Sequence, residues 1–452
     1  MLRLLTHHAR PGMTLALPIY HPRVPECVLL REGMELDSFS IPHLRDLGIP
    51  EVWIQYPGLE HLVKFVDPQL HAQFRELTAR LGLVIDQALV APIELDYYSC
   101  KRTLIATIRR LSENPSTALW TSEIAGADRP FVRHCGTVAG LAIMMGMKLD
   151  FYMVRERPRL PANRAKDLTS LGIGSLLHDI GVLHLPAESV ANYNKNLDTN
   201  EPIWREHTAI GYEMTRGILD PSATTVVLHH HQAFDGSGWP HRLPKPGVKG
   251  PKGPVSGNDI HILARIAAAA DLFDRLRNPA HAPGADPNSN PSRPIVQALH
   301  MMLEPQFGRL LDPIVRTALF SVAPPFPPGS LVTLSDGTDA VVVDWNPSNP
   351  CRPVVEFAER GQNDMLRPKK YQGKVRRLDL REAPELSIAS MDGVDVRPWC
   401  FEPEFDGQFD INAIARQLSN RAHDDLKDDA DKSLVTDDAT LEMEQDLKRD
   451  AA

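Results

Sequence analysis

Six successive segments between residues 90 and 320 repeat apolar side chains at i, i+3, i+4 and i+7: Ile93–Leu111, Phe131–Met147, Ala165–His178, Ile203–Arg216, Ser222–His231 and Ile260–Leu276. This spacing draws an apolar stripe along each helix, and such stripes are stable when buried against one another. The fold class expected is mainly α, with an all-helical domain over 90–322. Pro240–Asp259 and Asn278–Pro294 interrupt it and read as loops by their Pro and Gly content.

The pattern changes on both sides. Residues 1–75 read as a small α+β domain: Met13–Ile19 alternates, Ile41–Leu47 has helical spacing and Glu51–Tyr56 reads as a short strand. After Ala323-Pro-Pro-Phe-Pro-Pro-Gly, the stretches Ser330–Leu334, Ala340–Trp345 and Pro353–Phe357 alternate as strands around an Asp336-Gly337 turn. They predict a small β-rich domain over 325–402. Residues 412–452 form an acidic tail, expected to be disordered.

Charge and cysteine usage narrow the partners. The chain has 49 Lys+Arg against 58 Asp+Glu, a net of −9. Affinity for a nucleic-acid backbone comes from Lys and Arg displacing counterions, so no DNA or RNA polymer is expected as partner. Five cysteines without C-x-x-C spacing fit a reducing cytoplasm. The longest apolar run, Val138–Met147, is about half a bilayer span, so no membrane insertion is expected.

The helical region concentrates metal-binding side chains. His178-Asp179 closes an apolar run, and an ionisable pair there is costly to bury unless something binds it. His134, His207, His230, His231 and Asp271 also lie on or at the ends of amphipathic segments. Five His and two Asp exceed what one tetrahedral ion needs. Neighbours on an ideal helix point about 100° apart, so neither His178 with Asp179 nor His230 with His231 should aim at one point. Two ions side by side, bridged by Asp179, would reconcile adjacent ligands, and such a pair suits in-line phosphoryl displacement.

These residues resemble the HD phosphohydrolase superfamily in their order, His134, His178-Asp179 and Asp271, with the H-x-x-x-G element at His207 and Gly211. His230-His231-Gln-Ala-Phe-Asp-Gly-Ser-Gly-Trp-Pro is similar to the H-H-E-x-x-D-G-x-G-Y-P signature of the HD-GYP subgroup. The resemblance covers about 125–320. It implies a metal-dependent phosphodiesterase that hydrolyses cyclic di-GMP to the linear dinucleotide or GMP in bacterial second-messenger signalling. It also implies two divalent ions, Fe or Mn, held by His134, His178, Asp179, His207, His230, His231 and Asp271.

Asp179 and His184 are the expected catalytic side chains, and Gly236, Gly238, Trp239, Arg242 and Lys245 the expected substrate-binding ones. Signalling proteins and a second copy of the chain are the macromolecular partners such a domain admits. The departures from the pattern matter as well. Val182 replaces the Lys of H-D-x-G-K, Gln232 the Glu of H-H-E and Trp239 the Tyr of G-Y-P, while Pro130 stands where three-metal members carry Glu. The alternative is therefore a degenerate domain that binds metal and nucleotide, signals through partners and turns over little or nothing.

Overall fold

The computed structural model describes residues 1–402 apart from 23, 66, 91–96, 114–128, 242–254, 287–290 and 362–365. The expected tail, Arg242 and Lys245 lie outside the described residues.

The N-terminal segment contains strands β1 (Leu2–Leu5), β2 (Ile19–His21), β3 (Val24–Leu30) and β4 (Glu51–Ile54) and helix α1 (Ser40–Asp46). β1 pairs antiparallel with β4, and β2 with β3. The alternating stretch at 13–19 supplies only isolated bridges at Thr14 and Leu15 before β2 begins.

A 23-residue helix follows, α2 (Pro68–Val90), running through residue 75, the expected edge of the N-terminal domain. Asp67 caps it, its Oδ1 accepting from the backbone N–H of Gln69 at 3.0 Å and Leu70 at 3.3 Å. Leu70, Phe74, Leu77, Leu81, Val84, Ile85 and Ala88 form its buried stripe.

Helices α3 (Tyr97–Glu113), α4 (Pro130–Lys148), α5 (Asp150–Glu156), α6 (Ala162–Ala165), α7 (Thr169–Leu176), α8 (Ala187–Asn196), α9 (Pro202–Thr215), α10 (Pro221–His229) and α11 (Ile262–Arg277) build the middle of the chain. α12 (Ile295–Leu303), α13 (Pro305–Gly308) and α14 (Pro313–Phe320) complete it. α4 is buried on nearly every side and packs against α7 and α11. No single helix among the described residues is long and apolar enough to cross a membrane.

The C-terminal part is a twisted antiparallel sheet: β5 (Leu331–Leu334), β6 (Asp339–Asp344), β7 (Val354–Arg360), β8 (Leu366–Pro368), β9 (Lys370–Tyr371), β10 (Lys374–Val375), β11 (Arg377–Asp379), β12 (Ile388–Met391) and β13 (Val394–Asp395). The main sheet runs β11-β7-β6-β5-β12-β13, with β8 on β7 and β9-β10 as a separate hairpin. Successive strand residues face opposite sides, and in β6 both sides are buried. Ala340 and Val342 join a core with Phe326 and with Val296 of α12. Val341 and Val343 join Leu2, Leu4, Leu15, Val52 and Ile54. The first sixty residues and the sheet beyond 330 thus share one core, reinforced by Arg3 N–H donating to the Gly329 carbonyl at 2.9 Å. The whole is mainly α with a helical centre and β-containing flanks, the fold class expected.

Candidate metal centre

Helix breaks aim the ligand residues inward. α7 ends at Leu176, two residues before the expected end, and Asp179 begins a 3-10 turn, Ile180–His184. His178 and Asp179 therefore sit in the bend between two elements and are free of helical spacing. α10 ends at His229, so His230 is its cap residue and His231 lies beyond it. Gly181 explains why the bend can lie so close to α9. A Cβ there would stand 2.0 Å from the His207 carbonyl oxygen and 2.6 Å from the Gly211 nitrogen.

All seven expected ligands meet. Asp179, His207, His230 and His231 form one group, and His134, His178 and Asp271 a second, each with donor atoms within 4.8 Å of one another. His178 and Asp179 fall into different groups, as their adjacency suggested. His230 and His231 fall into the same group, against expectation, because the helix has already ended and their spacing is not helical. Asp179 joins the two groups. Its Oδ1 lies 3.2 Å from His207 Nε2 and 3.3 Å from His230 Nε2, and its Oδ2 lies 3.4 Å from His178 Nε2 and 3.6 Å from His134 Nε2.

The hydrogen bonds behind the rings fix their tautomers. Nδ1 of His178 faces the Ser175 carbonyl at 2.8 Å, His207 the Trp204 carbonyl at 2.6 Å, and His230 the Val227 carbonyl at 3.0 Å. His134 Nδ1 faces the Asp274 carboxylate at 2.7 Å. Each partner can only accept, so each Nδ1 carries the hydrogen and each ring, in its neutral form, offers a bare Nε2 to the centre. Two such lone pairs, on His134 and His178, lie 3.2 Å apart, and those of His207 and His230 lie 3.5 Å apart. Asp179 Oδ1 is buried with no hydrogen-bond donor among the described residues. Lone pairs converging on buried carboxylates repel unless positive charge lies between them, so the donor set fits divalent metal ions.

The acid–base shifts express the same demand. Burial lowers His178 to about 4 and holds His231 well below its ordinary value, keeping both neutral. Burial also opposes protonation of His134, yet Asp179, Asp271 and Asp274 together raise it well above the ordinary range. Asp179 and Asp271 are held far down despite burial, Asp179 by His178 and the facing rings, Asp271 chiefly by Arg275.

The remaining expected residues are placed differently. Gly236 adopts a φ of 83°, and a Cβ on Gly238 would come within 2.1 Å of the Ala233 nitrogen, so the signature loop needs both glycines. Trp239 is buried, its ring tilted on His231 at 4.2 Å and edge-on to His207 at 5.4 Å. It walls the ligands, so the face expected to stack a base is engaged within the protein. His184 ends the 3-10 turn half-buried, and among the described residues it makes no hydrogen bond, ion pair or ring contact with the cluster. Val182 is fully buried.

Four supporting residues lay outside the sequence reading. Asp274 and Arg275 sit three and four positions after Asp271 on one helix face, a spacing that could have revealed them. Tyr193 and His281 carry no such signal. The Tyr193 hydroxyl donates to His281 Nε2 at 3.0 Å, and the Tyr193 ring stacks on Trp204 at 3.5 Å.

The helical centre thus brings together a buried five-His, two-Asp cluster whose two groups of donor atoms could hold metal ions. Residues 154–305 match the family model described as HD domain, and six of the seven cluster residues fall inside that stretch. The chain is 25% identical over 287 residues to a cyclic di-GMP phosphodiesterase of Pseudomonas aeruginosa, covering 63% of this chain and 58% of that one. It is 25% identical over 285 residues to the cyclic di-GMP phosphodiesterase response regulator RpfG of Xanthomonas campestris, covering 59% and 62%. It is 35% identical over 106 residues to the 3'3'-cGAMP-specific phosphodiesterase 2 of Vibrio cholerae, covering 23% and 18%. The chain thus spans about three fifths of the first two relatives. A solved HDG"Y"P protein from Bdellovibrio bacteriovorus aligns over 70% of this chain and 97% of that one, with 16% identity and a TM-score of 0.38.

Proposed function

We propose that this protein is a metal-dependent phosphodiesterase that hydrolyses cyclic di-GMP, acting in second-messenger signalling. The observation that carries the reading is the pair of ligand groups joined through Asp179, with four bare Nε2 atoms facing two buried carboxylates. Asp179, His207, His230 and His231 would hold one ion and His134, His178 and Asp271 the other, with Fe or Mn matching an imidazole and carboxylate set. Two such ions supply Lewis acidity toward a phosphoryl group and toward the attacking water.

The chain's own residues do the rest. Asp179 offers one oxygen to each group and so sets their separation. The Ser175, Trp204 and Val227 carbonyls and Asp274 keep four rings in the ligating tautomer. Trp239, packed on His231 and His207, excludes water from that flank of the cluster.

A second reading, metal and nucleotide binding without turnover, is favoured by the buried Val182 in place of a lysine and by the engaged face of Trp239. Anaerobic purification, a count of bound Fe, Mn and Zn, and chromatography of cyclic di-GMP after incubation separate the two readings, with Asp179→Ala as control. Loss of the cyclic dinucleotide that disappears in the variant supports the enzyme. Binding without loss transfers the reading to a sensor, and protein with no metal affinity sinks both.

A further inference from the structure

The two carboxylates of the centre are not in equivalent surroundings. Asp179 has no guanidinium or ammonium group bonded to it among the described residues, and its Oδ1 lacks any donor. Asp271, fully buried, is clamped by its own helix. Arg275 Nε lies 3.0 Å from both Asp271 oxygens, and Nη2 lies 2.8 Å from Oδ2. The guanidinium also lies near the Tyr193 hydroxyl, which donates to His281 Nε2 at 3.0 Å. Arg275 is thus held on Asp271 by three close approaches, with only 19% of its side chain exposed.

An ion entering the His134, His178 and Asp271 group meets a carboxylate whose charge is already compensated. Asp271 Oδ1, 3.4 Å from His134 Nε2 and 3.8 Å from His178 Nε2, is one of the two oxygens that the fork occupies. The other group draws its carboxylate from Asp179 and faces no such rival. A guanidinium cannot lose its charge near neutral pH, so it must be displaced or shared.

From this geometry we infer that Arg275 is a resident cation competing with metal for Asp271, which makes the two metal positions unequal. The Asp179, His207, His230 and His231 position fills first and tightly, and the His134, His178 and Asp271 position fills second and weakly. The inference rests on the proposed metal centre and goes beyond it by assigning an order of loading and the residue that sets it. Arg275 acts through Asp271 and is a positioning residue.

The test is titration of metal-free full-length protein with Mn2+, following free Mn2+ by electron paramagnetic resonance. Two steps separated by at least about tenfold are expected. A charge-assisted hydrogen-bond pair on a carboxylate corresponds to roughly 10- to 100-fold in affinity, so Arg275→Gln should tighten the weak step by that order and move the tight step little. Asp271→Asn should abolish the weak step and keep the tight one. Two equal steps in the unaltered chain would overturn the inference and leave the metal centre intact. Weakening of the second step in Arg275→Gln would also overturn it, since Arg275 would then be orienting Asp271 for the ion. The unaltered chain and Asp271→Asn decide the matter even if Arg275→Gln does not fold. Absence of any Mn2+ binding would remove the proposed function together with the inference.

Discussion

Replacing Gly181 by Ala adds one methyl group at the tightest point between the 3-10 turn and α9. Its carbon would stand 2.0 Å from the His207 carbonyl oxygen, 2.6 Å from the Gly211 nitrogen and 2.9 Å from the His207 carbonyl carbon. All three are backbone atoms, so no side chain can rotate away. To reach even 3.0 Å, the turn and α9 must part by about 1 Å. Overpacking of this kind costs typically 1–3 kcal/mol where side chains can yield, and a backbone clash on both sides belongs at or above the upper end, about 3 kcal/mol.

The displaced residue is His207 itself. Its Nδ1 bond to the Trp204 carbonyl and the 3.2 Å approach of its Nε2 to Asp179 both depend on where α9 lies. Gly181→Ala should therefore lower the melting temperature by about 3–6 °C, taking roughly 1–2 °C per kcal/mol for a unit that runs from Met1 to Gly407. It should also weaken the tight metal step. Calorimetric melting of metal-free protein and Mn2+ titration measure the two effects separately. A variant that melts within 2 °C of the parent and loads the tight position unchanged would refute the close-approach reasoning.

Four further outcomes are expected. Asp274→Asn should weaken metal binding by roughly 10- to 100-fold in a Mn2+ titration with little change in helix content, because the carboxylate fixes the His134 tautomer. Asp312→Ala should destabilise by about 3–5 kcal/mol in urea denaturation, since it strips Arg265 of a buried partner at 2.6 Å and removes the cap of α14. Asp67→Asn keeps the α2 cap oxygen but removes the charge paired with Arg110, and should cost about 1 kcal/mol at pH 7. Burial opposes ionisation of Asp67, but Arg110 and the cap bonds hold its folded pKa below the ordinary value. Its contribution is therefore complete above about pH 4 and fades as pH falls through the folded value, so parent and variant should converge in acid denaturation. Val182→Lys would place an ammonium where the parent side chain is fully buried, so a lower melting temperature should accompany any gain in cyclic di-GMP turnover measured by chromatography.

The ligand set was legible because metal chemistry restricts residue types: few pressures put five His and two Asp on or at the ends of apolar helices. How adjacent ligands aim was not legible. The ends of α7 and α10 are fixed by tertiary packing, and reading His178 and His231 as helical carried the geometry of an ideal helix past its true end. Helix α2 shows the converse. Pro68 lies in its first turn, where the missing N–H costs nothing, so it starts a helix and does not break one. Arg275 sits in the helical face that Asp271 defines, but only the coordinates reveal that its fork turns back onto Asp271. His281 reaches the cluster from a Pro-rich loop, where no periodicity reports direction.

The shared core of the two β-containing flanks has a consequence in time. Leu2, Leu4, Leu15 and Val52 complete their packing against Val341, Val343 and Ala358. At about 5–20 residues per second, the ribosome needs on the order of 15–60 s to travel from one set to the other. Through that interval the first-made strands wait with their apolar faces partly uncovered, exposed to chaperones and proteases. The last strands made therefore decide when the first become safe, and a translational pause beyond α14 would lengthen the most aggregation-prone stage of this protein's synthesis.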